Sequence, residues 1–216
     1  HTYHLIERIL YMRFPFLASF IIFLIWLSYQ LAKSKRITEK QEKSFWERER
    51  LANQTRRKSL DALPYITIPL DTLPMQLCQE DDTVRECSDL VRSLSEQTIV
   101  NLTGYSNTDL KLMYGAPNIT LLSDYDQNYT LLARTLQKWA ALLYKKGFVN
   151  ETKAILEFAV STQTDVSGSY KLLASIYKKE GHPEKIASLL ETASTLRSAM
   201  KPAIVRALQE SDPSDD

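Results

Sequence analysis

Three kinds of hydrophobic pattern follow one another along the chain. From Phe14 to Ala32, nineteen residues carry no charge and are apolar all round rather than on one stripe. At about 1.5 Å per residue a helix of that length reaches roughly 28 Å, close to the hydrocarbon thickness of a bilayer. Arg13 closes one end, and Lys33, Lys35 and Arg36 close the other. Trp26 and Tyr29 lie toward the second end, where amphipathic rings favour the membrane–water boundary. The pattern predicts a transmembrane helix over 14–32, with residues 1–13 as a short tail before it. A cleaved signal peptide would have a shorter apolar core and small residues before the cut, whereas Gln30 stands three residues before a cut after Ala32.

Residues 33–58 mix Lys and Arg with Glu and hold few apolar positions: Ile37, Phe45, Trp46 and Leu51. This predicts a solvated helix or stalk, too poor in apolar repeats for a coiled coil. Attraction to anionic lipid, with Trp46 at the interface, is the functional alternative. Residues 59–122 read as a mixed region of helix and short strands. Tyr65–Leu70 is β-branched and aromatic but flanked by Pro64, Pro69 and Pro74, which suits an edge segment. Asp81 and Asp82 are N-cap candidates for a helix with Val84, Cys87, Val91 and Leu94 on one face. Residues 98–122, rich in Asn, Thr and Tyr, predict two or three short strands or ordered loops. Their polar cluster of Asn101, Thr103, Tyr105, Asn107, Thr108 and Asp109 is a candidate binding surface.

A third pattern occupies 123–210. Shifting residues 137–161 by 34 superposes Ala140 on Ala174, Gly147 on Gly181, Leu156 on Leu190 and Ala159 on Ala193. That period belongs to helix–turn–helix repeats. Tyr170, Leu173, Ala174, Tyr177 and Gly181, followed by Leu190 and Ala193, resemble the tetratricopeptide signature. The first unit matches less well: Trp139 and Leu143 supply large apolar residues, but Thr152 stands where the second helix usually has Ala. The first helix is expected to start near Ser123 or Asp124. Residues 199–210 predict a capping helix with Ile204, Val205 and Leu208 inward, and 211–216 a polar tail. The wider arrangement (one N-terminal span, a Phe-Trp-Glu-Arg-Glu stalk at 45–49, Tyr-Ile-Thr-Ile-Pro-Leu at 65–70, then Gly-Tyr-Ser-Asn-Thr-Asp-Leu-Lys at 104–111 and Asp-Gln-Asn-Tyr-Thr at 126–130 before the repeats) is similar to uncharacterised single-pass bacterial membrane proteins. The expected fold is therefore mainly α: one transmembrane helix, a small mixed region, and C-terminal tetratricopeptide-like hairpins.

Charge sharpens this division. Residues 33–58 sum to +6 and residues 59–216 to −6, so the excess of basic residues sits beside the apolar segment. The acidic main domain is unsuited to nucleic acid. By the positive-inside rule the basic flank places the C-terminal domain in the cytoplasm. A second feature points the other way. Five of six asparagines (Asn53, Asn101, Asn118, Asn128 and Asn150) begin N-x-[ST] triplets, which in a lumenal domain would be glycan acceptors. Asn and Thr also cluster at turns and caps without any glycan.

Candidate chemistry is sparse. Cys78 and Cys87 have no metal or redox spacing, although a single disulfide between them stays open. Asp124 and Asp126 suit a helix N-terminus. No nucleophile, phosphate-loop or metal motif occurs, so neither catalysis nor a cofactor is expected. The expectation is a membrane-tethered module that binds a protein or peptide partner. The alternatives are a structural subunit of a membrane complex without an open groove, and an enzyme with an unfamiliar site in 98–130.

Overall fold

The computed structural model describes the backbone of residues 2–210 and the side chains of residues 17–210. It divides the chain into two compact units, one ending at Gln54 and one beginning at Thr55.

The first unit is a single helix, α1 (Thr2–Gln54), of 53 residues. Residues 2–13 are thus helical, continuous with the apolar run rather than a separate tail. The side chains of Arg13, Phe14 and Phe16 lie outside the described residues. Phe20, Ile22, Ile25 and Trp26 are all more than half exposed, so no protein core covers the described part of the apolar run. Among the described residues, this is the one helix long and apolar enough to cross a membrane. Helix continues without interruption through Lys33, Lys35 and Arg36 to Gln54. Trp46 is fourteen residues past Ala32, or about 21 Å along the axis. A headgroup layer is only about 5–8 Å deep. Were α1 to stand along a membrane normal, Trp46 would lie beyond that layer.

In the second unit a stretch of turns and loop over residues 55–81 precedes the helices. These are α2 (Asp82–Ser95), α3 (Asn107–Tyr114), a 3-10 turn at Ala116–Asn118, α4 (Ile119–Lys145), α5 (Val149–Ser161), α6 (Ser167–Glu180), α7 (Pro183–Thr195) and α8 (Lys201–Gln209). The Asp81 side chain accepts from the N–H groups of Thr83 and Val84 and starts α2, which buries Val84, Cys87, Val91 and Leu94. The longest element here is α4, with α2, α3, α5 and α6 packed on it; α6, α7 and α8 pack on one another beyond. Lys146 at the end of α4 meets the Asp81 carboxylate at 2.6 Å.

The strands expected in the middle region do not form, the alternative of ordered loop holds for residues 98–106, and the start of the first repeat helix shifts. Among the described residues there is no strand, only one antiparallel bridge between Tyr65 and Val100. Residues 98–122 instead form loop, α3, the 3-10 turn and the start of α4. Ser106 and Asp109 form a reciprocal capping box that begins α3. And α4 begins at Ile119, not at Ser123: Leu122 is fully buried and extends the apolar stripe of Tyr129, Leu132, Leu136 and Trp139 two turns backwards. The β-branched Ile119-Thr120 pair favours strand only weakly, and burial on one helical face overrides it. Leu122 joins Leu63, Val100, Leu102 and Leu110 in a small core separate from the main one.

Cys78 and Cys87 are both free thiols, half-buried and buried respectively. Burial pushes the Cys87 thiol above its ordinary value.

Candidate functional site

The residues singled out at 34-residue spacing sit as follows. Trp139, Ala140, Leu143, Leu156, Ala159, Leu173, Ala174 and Ala193 are fully buried, and Tyr177 nearly so. Leu190 is only half-buried; its neighbour Leu189 takes the inward position. The hydroxyl of Tyr177 donates to Glu157 at 2.7 Å. Burial, with that carboxylate second, raises the phenol well above its ordinary value.

Two helix ends are built alike. At the end of α4, Gly147 donates to the Tyr144 carbonyl and Phe148 to that of Leu143, both at 3.0 Å. At the end of α6, Gly181 donates to Lys178 at 3.3 Å and His182 to Tyr177 at 2.9 Å. Both glycines have positive φ, +90° and +76°. These are the paired bonds of a Schellman cap, which needs a left-handed residue where glycine stands.

Thr152, where the repeat signature favours Ala, is fully buried. Its hydroxyl donates to Phe148 at 2.7 Å and reaches the Ala140 carbonyl on the facing helix at 3.3 Å. The buried polar atom is satisfied, so the departure costs little. Beside it, Lys153 on α5 grips the Glu180 carboxylate of α6 at 2.7 Å, and that hydrogen bond holds Glu180 below its ordinary range.

Three of the N-x-[ST] asparagines have structural duties. Asn118 is fully buried. Its Nδ2 donates to the carbonyls of Lys58 and Tyr114 at 2.9 and 2.8 Å, and its Oδ1 accepts from Arg57 at 2.9 Å. Asn101 Nδ2 donates to the carbonyls of Thr162 and Gln163, and Asn128 Nδ2 to that of Thr98. A glycan attaches at Nδ2, so the folded domain has no room for one at Asn118. Turn and strut chemistry accounts for these three positions.

A concavity lined by several polar side chains opens beside the small core. It has a volume of about 400 Å³. Its walls come from three distant stretches: Asn101, Thr103 and Tyr105; Gln163 in the α5–α6 turn; and Arg197 and Ser198 in the α7–α8 connection. Leu63, Pro64 and Tyr114 also line it. Of the polar cluster read from the sequence, Asn101, Thr103 and Tyr105 reach this cleft. Asn107 and Asp109 instead belong to the first turn of α3.

Several bonds fix the walls. Thr103 N–H donates to Asn101 Oδ1 at 3.0 Å, and Ser198 donates to Asp165 at 2.5 Å. The Arg197 guanidinium lies over the Tyr105 ring, 4.8 Å from its centre. Behind the cleft Asp126 accepts from the Leu102 N–H at 3.0 Å. Burial raises its carboxyl above the ordinary value, against that hydrogen bond and with help from Asp165. Tyr129, pushed up to about 12 chiefly by burial, donates to the Thr162 carbonyl.

Arg197 and Gln163 had no marker in the sequence: each is one ordinary polar residue in a turn, brought to the cleft from some 60–100 residues beyond Asn101. Among the described residues no group of three His, Cys, Asp or Glu is placed to hold a metal ion. No protein-family model matches the chain, and no curated protein or solved structure shows significant similarity to it.

Proposed function

We propose that the chain is a membrane-anchored protein–protein interaction module, held in the bilayer by α1 and built on two tetratricopeptide-like units, α4–α5 and α6–α7, with α8 as the cap. The observation that carries this reading is the duplicated helix end: Gly147 and Gly181, 34 residues apart, close their helices with the same pair of hydrogen bonds. Stacked helical pairs of this kind bury their apolar stripes on their neighbours and leave side-chain surfaces free for a partner. Leu131 supports a contact face on α4, since it is a large apolar residue left 44% exposed. The basic flank of the apolar run favours a cytoplasmic domain, and the structural duties of Asn101, Asn118 and Asn128 weaken the competing glycan argument.

The test is affinity capture of the full-length protein from gently solubilised membranes, beside a Leu131→Asp variant of equal thermal stability. A partner recovered with the native chain and lost with the variant is the expected result. Equal recovery by both removes α4 from the contact face. A partner that stays at fixed stoichiometry through extended dilution points instead to a permanent structural subunit.

A further inference from the structure

We propose that the cleft between residues 101–105 and 195–198 binds a small organic carboxylate, with Arg197 holding the anionic group. The inference is independent of the interaction-module reading. A volume of about 400 Å³ falls in the usual range of ligand sites.

The argument rests on unused polar groups. Arg197 is the cleft's cationic residue, and its only partner among the described residues is the Tyr105 ring. A guanidinium stacked on a ring keeps its N–H edge available for a bidentate bond to a carboxylate. The Thr103 and Tyr114 hydroxyls and the Gln163 side-chain amide also line the cleft, and none has a hydrogen-bond partner among the described residues. Together they suit a ligand body with hydroxyl or amide groups.

The walls that carry these groups are rigid. A Cβ on Gly104 would lie 2.6 Å from the Arg197 carbonyl oxygen, so the two backbones are in direct contact. Asn101 ties the first wall to the Thr162 and Gln163 carbonyls at 2.9 and 3.1 Å. Gln163 is held at φ +58°, a conformation disfavoured for any residue with a Cβ. Such strain persists where surrounding structure enforces it, and it is concentrated at ligand sites.

Two acidic groups set the ligand's charge. Asp126 and Asp165 lie behind the cleft without lining it, each engaged by a donor of the protein, the Leu102 N–H and the Ser198 hydroxyl. Their charge opposes a dianion more than a monoanion, which favours carboxylate over phosphate.

The experiment uses the full-length protein in a non-ionic detergent, with ligand-observed NMR and equilibrium dialysis. The probes are gluconate against glucose, N-acetylglycine against N-acetylglycinamide, and glucose 6-phosphate as the phosphate arm. At least one acid is expected to bind about tenfold or more tightly than its neutral twin, as a charge-assisted pair requires. Arg197→Gln abolishes that difference and Arg197→Lys keeps part of it. Gln163→Gly, at a backbone position that suits glycine, weakens binding without loss of thermal stability. Equal binding of acid and neutral twin, binding of neither acid, or indifference to Arg197→Gln overturns the proposal. Tighter binding of glucose 6-phosphate than of both acids overturns the carboxylate assignment.

Discussion

The hydroxyl of Thr152 lies 3.3 Å from the carbonyl of Ala140, spanning the close approach of α4 and α5 at a site with no solvent exposure. Both acceptors of this hydroxyl carry other bonds. Phe148 accepts the Thr152 N–H at 3.0 Å, and Ala140 lies inside α4. Thr152→Val therefore strands no buried acceptor and is expected to change stability by less than about 1 kcal/mol. Thr152→Leu overfills the same space and is expected to cost about 1–3 kcal/mol. Thermal melts of the detergent-solubilised chain check both; equal melting temperatures for the two variants would contradict the close packing.

Tyr170 makes the opposite case. Its side chain is fully buried, and its hydroxyl has no hydrogen-bond partner among the described residues. Tyr170→Phe removes an unsatisfied polar atom while keeping the ring. It is expected to stabilise the domain by about 1–3 kcal/mol. A lower melting temperature would show that the hydroxyl has a partner, such as a bound water.

Gly147 and Gly104 both have positive φ but differ in surroundings. A Cβ at Gly147 meets nothing within 4 Å, whereas one at Gly104 falls 2.6 Å from the Arg197 carbonyl oxygen. Gly147→Ala is expected to cost only the left-handed penalty, about 1–2 kcal/mol. Gly104→Ala adds a backbone collision and is expected to cost clearly more. Chemical denaturation of the pair measures the difference, and a Gly104→Ala variant as stable as Gly147→Ala would refute the contact between loop 101–105 and the α7–α8 connection.

Asp126 gives a pH signature. Its folded-state carboxyl is raised above the ordinary value by burial. Protonation therefore favours the folded state; that contribution is complete below the ordinary aspartate range and is lost as pH rises through the folded value. Asp126→Asn keeps an oxygen acceptor for the Leu102 N–H and carries no charge. It is expected to melt higher than the native chain at pH 7, and the gain should shrink as pH falls toward 4. A gain that is independent of pH would contradict the assignment.

How far the sequence predicts this structure depends on where each signal is stored. The N-terminal apolar helix and α2 were legible because their determinants are local: an uninterrupted apolar run, and the Asp81 cap ahead of Val84, Cys87, Val91 and Leu94. The glycine turns at 147 and 181 were legible for the same reason. The start of α4 was not, because the burial of Leu122 that favours helix over Ile119–Leu122 depends on Leu63, Val100 and Leu110, brought together only by the fold. The capping box at Ser106 and Asp109 was written in the sequence, but the short α3 between turn residues masked it. Half of the cleft was visible as Asn101, Thr103 and Tyr105. Arg197 and Gln163 were not, since only the stacking of the C-terminal helices carries them to the same place.

The anchoring of the chain by α1 underlies the proposed function, and alkaline carbonate extraction of membranes bearing the full-length protein tests it most directly. An 18-residue-or-longer apolar span with its side chains uncovered by protein should remain in the pellet at high pH and leave it only with detergent. Recovery of the intact chain in the carbonate supernatant would contradict a membrane-spanning α1.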